Sequence, residues 1–480
     1  MRFAFFLLVI LTFVSRLFAA PDPPEPAREF RGTWVASVFN LDWPSSSRLS
    51  AAAQQAELID ILNRAQRLRL NAVILQVRPS SDALYRSSYE PWSAFLTGHM
   101  GGNPGYDPLA FAVAEAHRRG LQLHAWFNPF RALATKTGGI APNHISQRRP
   151  QWVVPFGSQL WLDPGIPEAR EYVIRVILDV VSRYDIDGVH LDDYFYPYPI
   201  AGGADFPDTV SWRRYGQGAG MTRSEWRRDN VNHFVRNLYS AIKSKKRDVL
   251  FGISPFGIWR PGVPASTSAG LDAYETLCAD SRKWLQNGWV DYLAPQLYWP
   301  TQPAEQSFPV LLRWWAEQNE KNRHLWPGIA TERIGSSRPA AEQVRQIQFV
   351  RRMISDPGHI HWSNKSLARN KGGIATLLAA GAYAEPALIP ESPWLNPGRT
   401  SKPSLKLGSN GSGQPAIDWA SGGSDKLGGY LVQWHTSAGW HSQVAGALTP
   451  GMIWPNGATG VAVRSFTRTG ILSPVAWLER

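Results

Sequence analysis

Residues Ile186–Pro197 read IDGVHLDDYFYP. The centre, Gly188 to Leu191, has the makings of a short buried strand. It breaks in one step into two carboxylates, Asp192 and Asp193, followed by Tyr194, Phe195 and Tyr196. Such a strand starts inside a core and ends at a polar surface. Pro167-Glu168-Ala169 opens a helix ahead of it, in which Val173, Val176, Ile177, Val180, Val181 and Tyr184 recur at three- and four-residue spacing on one face. Helix, strand and polar turn in that order form the unit of a parallel sheet.

The unit recurs on both sides. Apolar runs predict strands near Phe30–Phe39, Ala72–Val77, Gln122–Phe127, Gly188–Leu191, Val249–Ile253, Asp291–Leu297, Leu325–Ala330 and Gly358–Trp362, and Ala51–Leu70 and Asp107–Arg119 have helical periodicity. Eight alternations predict an α/β fold, a (β/α)8 TIM barrel over 29–395, with an open parallel sheet as runner-up. At 480 residues the chain has room for the barrel and one small domain. From Asn396 the texture turns rich in Pro, Gly and Ser. Short runs (AIDWA, GYLVQWH, GVAVRSF, VAWLE) follow, predicting a linker and a small all-β sandwich over 396–480.

The N-terminus reads as a signal peptide over 1–20. Arg2 is the positive start, Phe3 to Val14 is apolar apart from Thr12, and small residues follow at Ala19 and Ala20. The run falls short of the roughly 20 residues that span a bilayer. Cleavage is therefore expected, leaving an exported protein, periplasmic or extracellular, with no stable membrane span. PDPPEP then begins a stiff linker over 21–28. The single cysteine, Cys278, allows no internal disulfide and is expected in the core. The net charge of +12 favours an anionic polymer. Outside the cytoplasm an anionic cell-wall glycan or a membrane surface fits better than nucleic acid, and a charge that only keeps the protein soluble fits as well. The 22 Trp, 15 Tyr and 20 Phe include enough rings for sugar-stacking platforms as well as a core.

In this fold the reacting groups lie at the C-terminal ends of the strands. Two adjacent carboxylates there repel, so one pKa rises and a proton donor stands beside a charged group. Successive strand residues point to opposite faces, so a further carboxylate is sought at another strand end. Glu332 is best placed, ahead of Asp82 and Asp42. The candidate catalytic residues are Asp192, Asp193 and Glu332. The candidate substrate-binding residues are Arg78, Asp82, Asn128, Arg131, Tyr196, Trp259, Arg260, Gln296, Tyr298 and Trp299. No metal or cofactor is expected. His124 and His190 lie in strand interiors, HExxH and Cys/His spacings are absent, GISPFG lacks the spacing of a nucleophile elbow, and no Gly-rich phosphate loop is evident.

FRGTWVASVFNLDWPS (30–45), LQVRPSSDALY (75–85), HAWFNPFR (124–131), DGVHLDDYFYPYP (187–199), GISPFGIWRP (252–261) and DYLAPQLYW (291–299) occur in this order. Together they resemble the glycosyl hydrolase-like 10 family, once a domain of unknown function, from about Glu29 to Trp394. The resemblance implies a glycoside-hydrolase barrel with its site around Asp192, Asp193, Asn128, Gln296 and Tyr298. It also implies cell-wall glycan as substrate, since some members are thought to cleave peptidoglycan strands stripped of their stem peptides. The family's seventh strand more often carries an aromatic residue where this chain has Glu332. GVAVRSFTRTGILSPVAW resembles the last two strands of a fibronectin type III module. The alternatives are a non-catalytic glycan binder on a hydrolase scaffold and a hydrolase of another polysaccharide.

Overall fold

The computed structural model describes residues 22–135, 139–218, 220–396, 398–421, 423 and 426–480. The predicted leader over 1–20 lies outside them. Eight strand–helix units follow one another. The strands are β1 (Phe30–Val35), β2 (Ala72–Arg78), β3 (Gln122–Phe127), β4 (Gly188–Leu191), β5 (Leu250–Ile253), β6 (Tyr292–Leu293), β7 in two pieces (His324–Leu325 and Gly328–Ala330) and β8 (Gly358–Trp362). The helix after each is α1 (Ala51–Arg67), α2 (Pro108–Arg118), α3 (Pro167–Arg183), α4 (Arg223–Lys245), α5 (Ser281–Asn287), α6 (Phe308–Glu317), α7 (Ala340–Met353) and α8 (Ile374–Ala380).

All strands pair in parallel. The first piece of β7 pairs with β6, and the second with β8, which pairs with β1. One strand thus closes the ring, and the fold is the expected TIM barrel. Two strands are shorter than their apolar runs. β1 ends at Val35 because the backbone N–H groups of Ser37 and Val38 turn to the Gln76 side chain, each at 2.9 Å. β6 stops before Pro295, which has no N–H to donate. After β3 the chain adds a small antiparallel sheet (Arg131–Leu133, Val153–Phe156, Gln159–Leu162) that periodicity did not announce.

The barrel lumen holds large rings: Phe30, Trp34, Trp126, Tyr292 and Trp326. Glycines make room for them. A Cβ on Gly32 would come 2.8 Å from the Phe30 ring, one on Gly328 would come 2.8 Å from Trp34, and one on Gly252 would land inside the Tyr292 ring. A chain of hydrogen bonds runs through these rings. Trp34 Nε1–H donates to His190 Nε2 (3.1 Å), so that nitrogen is an acceptor and the His190 proton sits on Nδ1. His190 Nδ1–H meets the Tyr292 hydroxyl (2.9 Å), which in turn donates to His124 Nδ1 (2.9 Å). His124 Nε2–H ends on Gln122 Oε1 (2.9 Å). Burial pushes both imidazoles below their usual range, His124 to about 4, so both are neutral.

At the lower rim, the residue before each of β2, β4 and β6 accepts a backbone N–H from the strand preceding it. Asn71 takes Arg31 N (2.8 Å), Asp187 takes Leu123 N (2.8 Å) and Asp291 takes Phe251 N (2.7 Å). The C-terminal unit docks on this rim. It comprises β9 (Ser404–Ser409), β10 (Pro415–Ala420), β11 (Leu427–Thr436), β12 (Gly439–Gly446), β13 (Gly451–Ile453), β14 (Gly460–Thr467) and β15 (Ala476–Glu479). They form two antiparallel sheets, ordered β9-β10-β13 and β12-β11-β14-β15. Arg468 reaches Asp185 (2.5 Å) and Asp187 (3.5 Å), and its carbonyl accepts from Gln122 Nε2 (2.6 Å). Cys278 is buried as expected, its thiol pushed up to about 12. No helix among the described residues is long and apolar enough to cross a membrane.

The lumen leaves no slack for an added methyl at Gly252. Gly252→Ala is expected to cost about 1–3 kcal/mol, read as a lower urea midpoint with an unchanged slope.

Candidate active site

The inward register of β4 runs Gly188, His190, Asp192, which puts Asp192 at the top of the lumen. Its side chain is held from three sides. Trp126 Nε1–H donates to Oδ2 (3.1 Å), Asn128 Nδ2 donates to the same oxygen, and Tyr194 N–H donates to Oδ1 (3.3 Å). Asn128 has no freedom to turn its amide. Its Oδ1 accepts from Gln76 Nε2 (2.6 Å) and from Arg131 Nη2 (3.0 Å), so its NH2 must face Asp192. Gln76 is fixed in turn by the Ser37 and Val38 N–H groups.

Asp192 is 4% exposed and Asp193 2%. Burial pushes Asp192 up to about 7, with the Asp193 charge as the second cause; Arg131 and the donors from Trp126 and Tyr194 pull the other way. Asp193 turns toward β6, where the Tyr198 hydroxyl and the Gln296 amide donate to it, and burial raises it as well. Gln296 is anchored by its Nε2–H to Ser254 O (2.9 Å). Arg131 is the cation felt by both carboxylates. It donates to Pro79 O (3.0 Å) and lies 5.2 Å over the Tyr194 ring.

Burial raises the Tyr298 hydroxyl well above its usual range, with the charges of Asp193 and Glu332 as the next causes. Glu332 sits on the turn after β7 with its side chain 45% exposed and a loose 3.9 Å contact to Arg333. Trp299 is part-buried, edge-on to Phe256 at 5.6 Å. Asp82 is buried at the wall of a neighbouring cavity, where its Oδ1 accepts Ser80 N–H (2.9 Å). Asp42 bridges β1 and the start of the loop after β8, accepting from Ala36 N (3.0 Å), Ser363 Oγ (2.8 Å) and Lys365 N (2.9 Å).

Several expected ligand contacts are otherwise engaged. Arg78 is fully buried, pairs with Glu90 at 2.6 Å and donates to the Asn128 and Pro129 carbonyls. It braces the loop that carries Asn128 and has no group left for a substrate. Tyr196 turns outward behind the barrel wall, edge-on to Phe206 at 5.1 Å with Arg227 5.6 Å over its ring. Arg260 is held by Asp272 (3.1 Å) and Glu275 (3.6 Å), and Trp259 stacks on Trp314 at 5.9 Å. Asn128 is fully buried, so it positions Asp192 and does not touch solvent.

The structure adds residues that sequence reasoning missed. Gln76 has an interior amide, signalled only by a polar side chain in an otherwise apolar strand. Tyr198 lies five residues past Asp193 in the quoted motif. Trp34 and Trp126 each meet Trp362 edge-on at 6.1 Å, and these three rings form the floor below Asp192.

A carboxyl near 7 in the folded chain and 3.8 when free takes up a proton on folding between about pH 4 and 7. Stability therefore falls as pH rises across that window, and Asp192 costs most above pH 7. Asp192→Asn keeps an acceptor for Trp126 and Asn128 without the charge. The variant is expected to melt above the wild type at pH 8, by on the order of 2 kcal/mol, and to approach it at pH 4. Calorimetry at both pH values checks this.

The sequence profile of the glycosyl hydrolase-like 10 family matches residues 29–345. The glycosyl hydrolase YngK of Bacillus subtilis (strain 168) is 44% identical over 412 residues, spanning 83% of this chain and 80% of that protein. The glycosyl hydrolase DigH of Escherichia coli (strain K12) is 39% identical over 342 residues, spanning 66% and 77%. Among solved structures, the PgaB (BpsB) glycoside hydrolase domain from Bordetella bronchiseptica aligns with 74% of this chain and 98% of that one, at 14% identity and a TM-score of 0.42. On the profile and on the identity to YngK, the chain belongs to the glycosyl hydrolase-like 10 family.

Proposed function

We propose that this protein is an exported hydrolase of cell-wall glycan, acting on peptidoglycan strands that lack stem peptides. The observation that carries the hydrolytic reading is the clamped pair Asp192–Asp193, with Asp192 near 7 at the top of a barrel lumen. Glycosidic cleavage needs an acid for the leaving oxygen and a second, charged carboxylate. Asp192 holds a proton up to about pH 7 and serves as the acid. In its charged form Asp193 keeps that proton in place by repulsion and stabilises positive charge developing on the sugar ring. Glu332, on the turn after β7, is the third carboxylate and activates water. Gln296, Tyr298 and Trp299 line the path between them, and the half-buried Trp362 ring, backed by Trp34 and Trp126, receives the apolar face of the sugar.

The finer parts rest on sequence and charge. The leader over 1–20 supports export. The +12 charge and Arg131 at the mouth support an anionic wall polymer, whose muramic units carry lactyl carboxylates. Arg78 and Arg260 are already paired, and Arg131, itself buried against Pro79 O and Asn128, contributes its field rather than a free contact. The partition into barrel (29–395) and sandwich (396–480) follows the same proposal, and the three-plus-four strand order supports a fibronectin type III-like module.

Incubation with denuded glycan strands is expected to release new reducing ends. Asp193→Asn and Glu332→Gln should each lower kcat by about 100-fold or more, with Glu332→Gln leaving thermal stability unchanged. Tight binding without products would make the protein a glycan binder instead. The rate is expected to fall above about pH 7 as Asp192 loses its proton. Asn128→Ala removes a donor to the charged form and should move that limb upward; an unmoved limb would sink the assignment of Asp192 as the acid.

A further inference from the structure

Beside the mouth, between the ends of β1 and β2 and the loop after β3, lies a cavity of about 420 Å3. That is within the range of about 300–1,000 Å3 for small-molecule sites. Its walls are mixed. Phe95, Met100, Leu133 and Ile140 give apolar surface, and Ser80 and Asp82 give polar groups. Ser80 is buried, yet its hydroxyl has no partner. A buried polar group without a partner costs about 1–3 kcal/mol, and a ligand that bonds to it recovers that cost.

The rim is held open at a further cost. Phe39 and Asn40 both take left-handed backbone, with φ of 56° and 52°, unusual for residues with a Cβ. The turn is pinned at both ends. Gln76 holds Val38 N–H, and Asn40 Nδ2 donates to Pro44 O and Phe95 O, both at 2.8 Å. The result keeps the Phe39 ring 60% exposed and edge-on to Phe95 at 5.8 Å. Backbone strain of this kind clusters at ligand clamps and active sites. The cavity also connects to the reacting groups. Ser80 follows Pro79, whose carbonyl takes Arg131 Nε–H, and Arg131 bonds to Asn128, which clamps Asp192.

We propose that this cavity is a subsite for one N-acetylated hexose of the chain being cut, next to the unit held over Asp192. The proposal rests on the glycan-hydrolase reading above. The Phe39 ring stacks on the apolar face of the sugar. Ser80 Oγ and the Asp82 carboxyl meet its hydroxyl and amide groups, and the apolar wall receives the acetyl methyl.

The test is kinetic and thermodynamic. On denuded glycan, Phe39→Ala and Ser80→Ala are each expected to raise KM about 5- to 20-fold while kcat changes less than about 2-fold, the pattern of binding energy lost equally from ground and transition states. Titration of the N-acetylglucosamine tetramer into an Asp192→Asn background should show Kd weakened about 10-fold or more by either change. Phe39 lies exposed at the rim, so its removal should leave the melting temperature nearly unchanged, and losing the unpartnered Ser80 hydroxyl should leave it unchanged or raise it. Unaltered KM and Kd in both variants would overturn the subsite and leave the hydrolase intact. Weakened tetramer binding with no hydrolysis of any glycan would keep the subsite and overturn the hydrolase.

Discussion

A closed barrel has a lumen of fixed width, and the rest of this structure depends on how that width is filled. Rings take up most of it, and glycines at the facing positions yield the space. Neither works alone: large side chains at every inward position would not fit, and glycines throughout would leave voids that cost dispersion contacts. The packing also fixes chemistry. Trp34 offers only an N–H and Gln122 offers Oε1, so every proton between them has one place to be. The lumen is therefore rigid in orientation as well as volume, and the groups above it inherit a fixed floor.

That floor explains how Asp192 is kept under strain. A carboxyl buried to this degree would ordinarily rotate toward water or be replaced. Here Trp126 rises from the lumen to meet it, and Asn128 is locked by Gln76 and Arg131 from the side. The Arg78–Glu90 pair lies behind these residues and holds the carbonyls of Asn128 and Pro129. A buried pair of this kind adds little net stability, yet removing one partner is severe. Its contribution is to keep the Asn128 loop in one place.

Much of this was legible in the sequence because apolar runs report burial directly. All eight strands lie where the runs placed them, and the acidic pair lies at the mouth. The limits of the sequence are equally physical. A charged residue past a strand looks the same whether it faces a substrate or an internal partner, so Arg78 and Arg260 read as ligand contacts although Glu90, Asp272 and Glu275 already hold them. Tyr196 read as a mouth residue because the turn after Asp193 reverses its direction, which periodicity does not encode. Asp187, in the same motif as Asp192 and Asp193, serves the opposite rim, where it holds Leu123 N–H and His117 (2.8 Å each). Gln76 showed only as one polar side chain in an apolar run; its importance comes from Ser37, Val38 and Asn128, which only the fold brings to it.

The seat of the C-terminal sandwich sets the polarity of the whole molecule. Arg468 and Lys426 tie it to Asp185, Asp187 and Asp248, all at the end of the barrel remote from the acidic pair. The two sheets therefore cover the back of the barrel. Any surface they offer to a partner points away from the acidic pair, with the height of one barrel between the two.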